Sequence, residues 1–242
     1  MPYSLRTLGG LALRGGPAGE LLAEGRRKPL ALLALLAGAG ELGVTRDKMV
    51  AYLWPEGDGE KARGALKQTL YLLRQELEEP ELIVGGADLR LNPAVIAVDL
   101  WDFERAVQEG DPARAVSFYH GPFLDGFHLG DTPEFGYWLD NQRDRLRRRF
   151  AAQIELLALA AMGRNEPRVA ADWWVRLTQE DPLDVRAVSG LLHACLAAGD
   201  RPSAIRYAER HMALLRKELE ITPDPEIRRL VEQARARPTG QA

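Results

Sequence analysis

The sequence predicts a two-domain, mainly α-helical protein: an α+β domain over residues 1–98, an all-α domain over residues 99–236 and a flexible tail over residues 237–242. Its 242 residues are too many for one comfortable helical core and too few for three domains. Short strand patterns occur only before residue 98, whereas helical periodicity dominates from Asp99 onwards. Three similar turn-and-helix segments in the second part indicate a helical array.

The composition is that of a folded protein without a membrane span. Hydrophobic residues make up 46% of the chain and charged residues 28%, which leaves enough apolar surface for a core. The longest apolar run, Leu30 to Ala37, is far shorter than a membrane-spanning helix. We therefore expect a cytoplasmic protein with no membrane partner. The single cysteine, Cys195, excludes an intramolecular disulfide and is expected to be a buried packing thiol.

The first elements are strands and one apolar helix. Leu5–Leu8 and Leu11–Arg14 flank two glycines that tolerate positive φ, and this pattern predicts a β-hairpin. A third short strand is predicted at Glu20–Ala23. A helix is expected from Pro29, which suits a first helical turn, and its leucines surround most of the helix axis. Such a helix must be largely buried.

Two further helices follow, joined by a short turn. Thr45 is a suitable N-cap for a short helix over Arg46–Trp54. A longer helix is predicted over Gly59–Glu78, because its apolar residues recur at spacings of four, four, three and four. These residues are Ala62, Leu66, Leu70, Leu73 and Leu77.

The outer face of the longer helix is rich in long polar side chains. The residues of this face are Lys61, Gly64, Lys67, Gln68, Tyr71, Arg74 and Gln75. Lysine and arginine can reach phosphates or guanine, glutamine can pair with adenine, and tyrosine can contact a phosphate or a thymine methyl. Two helices with this surface on the second one indicate a helix-turn-helix for the major groove of DNA. The alternative interpretation is a solvated amphipathic helix.

A second hairpin follows the candidate recognition helix. Leu82–Val84 and Leu89–Leu91 flank a turn of glycine, alanine and aspartate, which is typical of the wing of a winged helix. Arg90 points away from its two leucine neighbours and is a candidate for a backbone or minor-groove contact. The alternative is a solvent-facing strand residue.

The second part predicts stacked helix pairs. Each similar segment is a turn followed by a helix with a small residue near its start; the three are Gly110–Tyr119, Asn165–Trp174 and Gly199–Ala208. Ala170 and Ala204 are 34 residues apart, which is the tetratricopeptide period. An insertion near residues 121–134 must interrupt the array. The longest helix is predicted over Pro133–Met162, and the five arginines between positions 143 and 149 form either a salt-bridged face or a second contact surface.

Charge is distributed so that the front domain is neutral. Residues 1–98 contain 12 basic and 12 acidic residues, and the rest of the chain contains 20 and 23. Any DNA contact must therefore come from local placement of charge. The neutral sum also leaves open a second hypothesis, in which the protein is a tetratricopeptide-type interaction adaptor without appreciable DNA binding. A third possibility is weak binding by one copy and tighter binding by a homodimer on tandem sites.

Several separated motifs resemble a known family. Those resembling the front domain of SARP-type bacterial transcriptional regulators are Arg46–Met49, Leu53–Pro55, Ala62–Arg74 and Leu89–Asn92. Those resembling the bacterial transcriptional activator domain, BTAD, are Tyr119–Leu124, Trp138–Leu139 with Arg143, Asp181–Leu183 and Leu215–Leu219.

The resemblance implies an OmpR/PhoB-like winged helix followed by an all-α tetratricopeptide-like domain. It implies an activator that binds direct repeats in double-stranded promoter DNA and recruits RNA polymerase holoenzyme. By position, DNA contacts are expected from Lys61, Lys67, Gln68, Tyr71 and Arg74, with Arg90 on the wing. Arg46 and Lys48 are candidates for phosphate contacts.

Catalytic motifs are missing from the sequence. The four histidines have no metal-ligand spacing, and the glycines form neither a dinucleotide-binding nor a phosphate-binding loop. No serine occupies a nucleophile elbow. We therefore expect no catalytic residues, no metal and no cofactor, with a hydrolase lacking known motifs as the remote alternative.

Overall fold

The computed structural model describes residues 3–15 and 26–236 and divides the chain into two compact units, Met1–Phe150 and Ala151–Ala242. Within the described residues the strands are β1 (Tyr3–Arg6), β2 (Ala12–Arg14), β3 (Val44–Thr45), β4 (Ile83–Val84), β5 (Asp88–Leu91) and β6 (Ile96–Val98). The α-helices there are α1 (Arg27–Ala39), α2 (Arg46–Leu53), α3 (Gly59–Glu76), α4 (Asp99–Gln108), α5 (Pro112–Phe118), α6 (Pro133–Gly163), α7 (Pro167–Glu180), α8 (Val185–Ala197), α9 (Arg201–Glu218) and α10 (Pro225–Arg235).

The predicted fold class is confirmed: the protein is mainly helical, with a winged helix of mixed α and β structure at its front and a helical domain behind it. The predicted strand at Glu20–Ala23 and the predicted tail at 237–242 lie outside the described residues. Within the described ranges, no helix combines the length and the apolar character needed to span a bilayer. The domain boundary expected after residue 98 stays a prediction.

The first sheet has the order β2-β1-β6. β1 and β2 pair antiparallel, as the hairpin pattern predicts. The first strand was predicted at Leu5–Leu8, but it ends at Arg6 because the amide groups of Thr7 and Leu8 donate hydrogen bonds to the Asp99 carboxylate. The sequence did not predict β6, which pairs in parallel with β1.

Asp99 fixes the end of β1 to the start of α4. One carboxylate oxygen accepts hydrogen bonds from the amide and the hydroxyl of Thr7, at 2.8 and 2.6 Å, and the other accepts from the Leu8 amide at 2.9 Å. The Leu100 amide in the first turn of α4 donates a further bond at 2.8 Å. Burial raises the pKa of Asp99, and these hydrogen bonds oppose the shift. One side chain thus joins segments 92 residues apart.

The three helices of the front domain form where the pattern predicts them. α1 contacts β5, α2, α3 and α4, which explains why leucines all around its axis are buried. α2 begins where the hydroxyl of Thr45 accepts a hydrogen bond from the Lys48 amide at 3.2 Å. α3 ends at Glu76, two residues earlier than predicted, and buries its apolar stripe against α1 and α2.

The wing belongs to a second small sheet with the order β3-β5-β4. β4 and β5 pair antiparallel, which confirms the predicted hairpin. Gly85 in their turn has a φ of +106°, and a Cβ there would lie 2.0 Å from the carbonyl oxygen of Asp88. Only glycine therefore fits this turn. β3 is two residues long and was not predicted.

The helices α4, α5 and the first part of α6 complete the first unit. The indole nitrogen of Trp101 on α4 donates to the carbonyl of Ala37 at 2.9 Å, and the ring of Trp138 on α6 lies against Gly38. Tyr119, after α5, stacks on Phe150 with ring centroids 4.0 Å apart. Residues 119–132 contain no helix, in agreement with the interruption expected between the first and second copies of the repeat.

The second unit is a stack of helices. α7 and α9 each contain a proline in their first turn and a fully or almost fully buried alanine, Ala170 and Ala204, at the positions that the 34-residue period predicts. α8 packs against both helices, and α10 packs against α8 and α9. Gly190 of α8 lies against the indole of Trp174, which a larger residue would displace.

Candidate nucleic-acid interface

The candidate interface is the outer face of α3, opposite its buried stripe. All five residues that were predicted to contact DNA from this helix are exposed: Lys61, Lys67, Gln68, Tyr71 and Arg74. Tyr71 is 57% exposed, which is unusual for a large aromatic side chain. The face is therefore open to a ligand.

Four of these side chains are not held by other side chains or by the backbone within residues 3–15 and 26–236. Lys61, Lys67, Gln68 and Tyr71 form neither a hydrogen bond nor an ion pair there. Pairs of opposite charge at i+3 or i+4 can stabilise a solvated helix, and Lys61 and Lys67 form none within the described residues. Unpaired donors on one helix face are what a phosphate backbone and base edges require.

An open groove of about 850 Å³ runs along this face. Its walls come from the start of α2, from α3 and from the wing turn. The residues that line it are Thr45, Arg46, Asp47, Arg63, Leu66, Lys67, Leu70, Tyr71, Arg74 and Ala87. Four basic residues thus face one carboxylate, so the groove is cationic although the front domain is neutral.

Arg46 connects the start of α2 to the wing turn. Its Nε donates to the Gly86 carbonyl at 2.9 Å, and its backbone amide donates to the Ala87 carbonyl at 3.3 Å. These bonds fix the wing beside the helix-turn-helix. The guanidinium remains exposed in the groove, where its other donors can bind an anion.

Like Arg46, Arg74 both lines the groove and forms a hydrogen bond that links two elements. One of its terminal nitrogens donates to the Ile83 carbonyl at 3.0 Å, which links α3 to β4. Because a guanidinium has five N–H donors, this single bond leaves most of them available to a ligand.

Four predicted contact residues do not line the groove: Lys48, Lys61, Gln68 and Arg90. Arg90 turns towards the loop before β3, where its Nη1 donates to the Glu41 carbonyl at 3.5 Å. Lys48 places its ammonium 5.6 Å from the centre of the Tyr52 ring. Lys61 is exposed near the start of α3. The structure therefore brings together Arg46, Lys67, Tyr71 and Arg74, while Gln68 lies beside them on α3.

Arg63 is a groove residue that the sequence analysis missed. It forms an ion pair with Asp47 at 3.1 Å across the two helices. It lies four residues before Lys67 and eight before Tyr71, so the same periodicity that identified the apolar stripe could have found it.

Residues 1–98 are neutral because 12 basic and 12 acidic residues balance, but not all of the acidic residues lie near the groove. Several carboxylates lie beyond the C-terminal end of α3 near β1, where burial and then the charges of Glu79 and Glu78 raise the pKa of Tyr3. The Tyr3 hydroxyl donates to the Leu77 carbonyl at that same end. Glu78 and Glu79 therefore lie outside the set of residues that line the cationic groove.

The model of the family described as "Bacterial transcriptional activator domain" matches residues 98–235, which is more than half of the chain. The chain belongs to this family. Among solved structures, Mycobacterium tuberculosis EmbR in complex with a low-affinity phosphopeptide is similar to it, with a TM-score of 0.65 and 21% sequence identity. That match covers 96% of this chain, whereas the chain spans only 65% of the matched structure. No curated protein matches the sequence.

The expected resemblance to SARP-type bacterial transcriptional regulators is confirmed by the family match and the shared fold.

In this member of the bacterial transcriptional activator domain family, arginines of α6 form hydrogen bonds and ion pairs with other parts of the same chain. Arg143 donates to the carbonyls of Phe123 and Leu124 at 2.9 and 2.8 Å, and Arg145 and Arg149 both pair with Glu104. These contacts support the interpretation of a salt-bridged face.

Proposed function

We propose that the protein is a sequence-specific DNA-binding regulator of transcription in the cytoplasm, and that α3 enters the major groove of promoter DNA. The observation that carries this proposal is the exposed outer face of α3, whose Lys61, Lys67, Gln68 and Tyr71 have no partner in the described part of the chain. The cationic groove beside it supplies basic side chains for contacts with a phosphate backbone.

The eight predicted residues have distinct roles in this proposal. Gln68 and Lys67 point from the middle of α3 and read base edges, whereas Lys61, Tyr71 and Arg74 contact the backbone. Arg46 binds a phosphate while it holds the wing. Lys48 and Arg90, which lie outside the groove, contribute mainly to the electrostatic attraction.

The protein is further proposed to be an activator that binds promoter direct repeats. A copy on each repeat would form a homodimer on tandem sites, and the helical domain would contact its sister copy or RNA polymerase holoenzyme. Pairing would supply affinity that a neutral front domain lacks, because the second copy binds at a high effective concentration. A two-repeat probe should then show steeply cooperative binding, whereas equal affinity for a one-repeat probe would contradict this part.

Selection of bound DNA from a random pool is the experiment that tests the proposed function. We expect an enriched motif, to which Lys67→Ala binds with a loss of about 1–3 kcal/mol. Arg105→Ala, which removes an exposed arginine of α4 outside the groove, is the matched control and should bind like the original protein. Failure to enrich any motif would contradict the proposal and favour the adaptor hypothesis.

A further inference from the structure

The second unit contains a groove between α7 and α9 that the DNA-binding proposal does not use. It has two lobes, of about 330 and 570 Å³, and they share an apolar floor. Val175, Leu191 and Tyr207 belong to both lobes. Sites of this size, with an apolar floor and a few polar groups, are typical of ligand binding.

The smaller lobe is cationic. Arg210 and His211 line it, and no carboxylate is among its lining residues. Arg210 is exposed and has no hydrogen bond or ion pair within the described residues. An anionic group would therefore find an available guanidinium there.

His211 lines the same lobe and has a ring nitrogen without a hydrogen-bond partner among the described residues. Its side chain is only 3% exposed, and its Nδ1 lies 3.0 Å from the Pro182 carbonyl, so Nδ1 carries a proton. Its Nε2 is shielded from water and has no partner among the described residues. Because buried polar nitrogens are normally paired, this atom indicates a missing partner. With the proton on Nδ1, the Nε2 of a neutral imidazole accepts, so a backbone N–H group of a bound peptide could supply the missing hydrogen bond.

The larger lobe has the opposite charge. Asp172 and Asp200 line it together with one arginine, Arg168. Hydrogen bonds from Ser203 lower the pKa of Asp200, which caps the start of α9 as a carboxylate. Asp172 is exposed and has no partner in the described ranges, so it is available to a basic group.

The spacing of the two lobes defines the length of a ligand. Ser203 and Arg210 lie on α9 at the two ends of the groove, seven residues or about 10 Å apart. An extended peptide covers that distance with about three residues, at roughly 3.3 Å each. We propose that this groove binds an extended peptide segment of a partner protein that carries one acidic and one basic side chain about three positions apart, with apolar residues between them.

Two capped, fluorescein-labelled peptides containing Glu-Leu-Leu-Lys and Lys-Leu-Leu-Glu test the proposal by fluorescence anisotropy on the full chain. Both orders are needed because the charges alone do not fix the direction of the peptide backbone. We expect saturable binding of one order, and weaker binding by roughly tenfold in Arg210→Glu and in Asp172→Lys. Arg216→Glu, an exposed change on α9 outside the groove, is the matched control.

The double variant Arg210→Glu with Asp172→Lys should prefer the peptide of opposite order, because it exchanges the charges of the two lobes. No saturable binding of either peptide, or equal binding by Arg210→Glu and the original protein, would overturn the proposal. These outcomes are independent of DNA binding, because the groove and the α3 face belong to different units.

Discussion

At the scale of single residues, the Asp99 carboxylate holds the end of β1 to the start of α4. Replacing Asp99 with alanine removes the acceptor of four donor groups and leaves those of Thr7 and Leu8 unpaired at a buried site. Each unsatisfied donor costs about 1–3 kcal/mol, so we expect Asp99→Ala to lower the free energy of unfolding by roughly 3 kcal/mol. Urea denaturation followed by circular dichroism measures this change.

Asp102→Ala is the matched control for that prediction. Asp102 lies on the same helix and forms a partly exposed ion pair with Arg105 at 3.6 Å. Such pairs contribute about 0–1 kcal/mol. A loss of stability in Asp99→Ala no larger than that in Asp102→Ala would show that the carboxylate does not hold β1 to α4.

The rate at which Cys195 is alkylated can be used to follow folding. Cys195 is buried, and burial raises the pKa of its thiol to about 11, so the reactive thiolate is scarce in the folded protein. The stability that comes from burying the neutral thiol is fully present below the ordinary pKa of 9.0. It is lost as the pH rises through about 11. We expect slow alkylation by iodoacetamide at neutral pH and rapid alkylation in concentrated urea. Equal rates in both conditions would contradict this.

The residue types of the α3 face could be identified from the sequence, but their local partners could not. Arg46, Arg74 and Arg90 each donate a hydrogen bond to a main-chain carbonyl of a distant segment. The position of a main-chain carbonyl oxygen depends on the fold and cannot be inferred from the type of residue that carries it. The outer face of α3 was therefore predicted from the sequence, whereas the hydrogen bonds of these arginines within the fold were not.

At the scale of elements, two glycines in the middle of helices have opposite roles. A Cβ at Gly64 of α3 would contact nothing within 4 Å, whereas one at Gly190 of α8 would lie 2.4 Å from the Trp174 indole. We expect Gly64→Ala to raise the free energy of unfolding by about 1 kcal/mol, since alanine favours helix. Gly190→Ala should lower it by about 1–3 kcal/mol because the buried ring must move.

Thermal denaturation of the two variants checks the signs, and DNA binding by Gly64→Ala gives a second result. A methyl group on the outer face of α3 should weaken binding to the selected motif if the helix backbone approaches the groove closely. A stabilised variant with unchanged DNA affinity would indicate that Gly64 is an ordinary surface residue. Destabilisation by Gly64→Ala would contradict the open space around it.

Long helices and strands joined by a glycine turn were predictable, whereas short strands with distant partners were not. α3 and α6 extend over many turns, so their apolar periodicity is sampled repeatedly and their ends were predicted within two residues. β3 and β6 contain two and three residues, too few to show alternation. Their existence depends on partners far along the chain, which local patterns do not contain.

At the scale of the whole molecule, the compact unit ends at Phe150, whereas the family match begins at residue 98. Fragment 1–98 lacks Asp99, Trp101 and Trp138, which contact β1 or the end of α1. We therefore expect fragment 1–150 to unfold cooperatively and fragment 1–98 to be markedly less stable. Urea titration of both fragments tests the predicted boundary. Equal midpoints would show that residues 1–98 fold as an independent domain.

The parallel pairing of β1 with β6 has a consequence for biosynthesis. β1 leaves the ribosome well before its second neighbour, because residues 96–98 are translated only later. At bacterial elongation rates this delay is on the order of 10 s. During that interval the hairpin of β1 and β2 presents an open edge, which a chaperone or a neighbouring nascent chain can reach first.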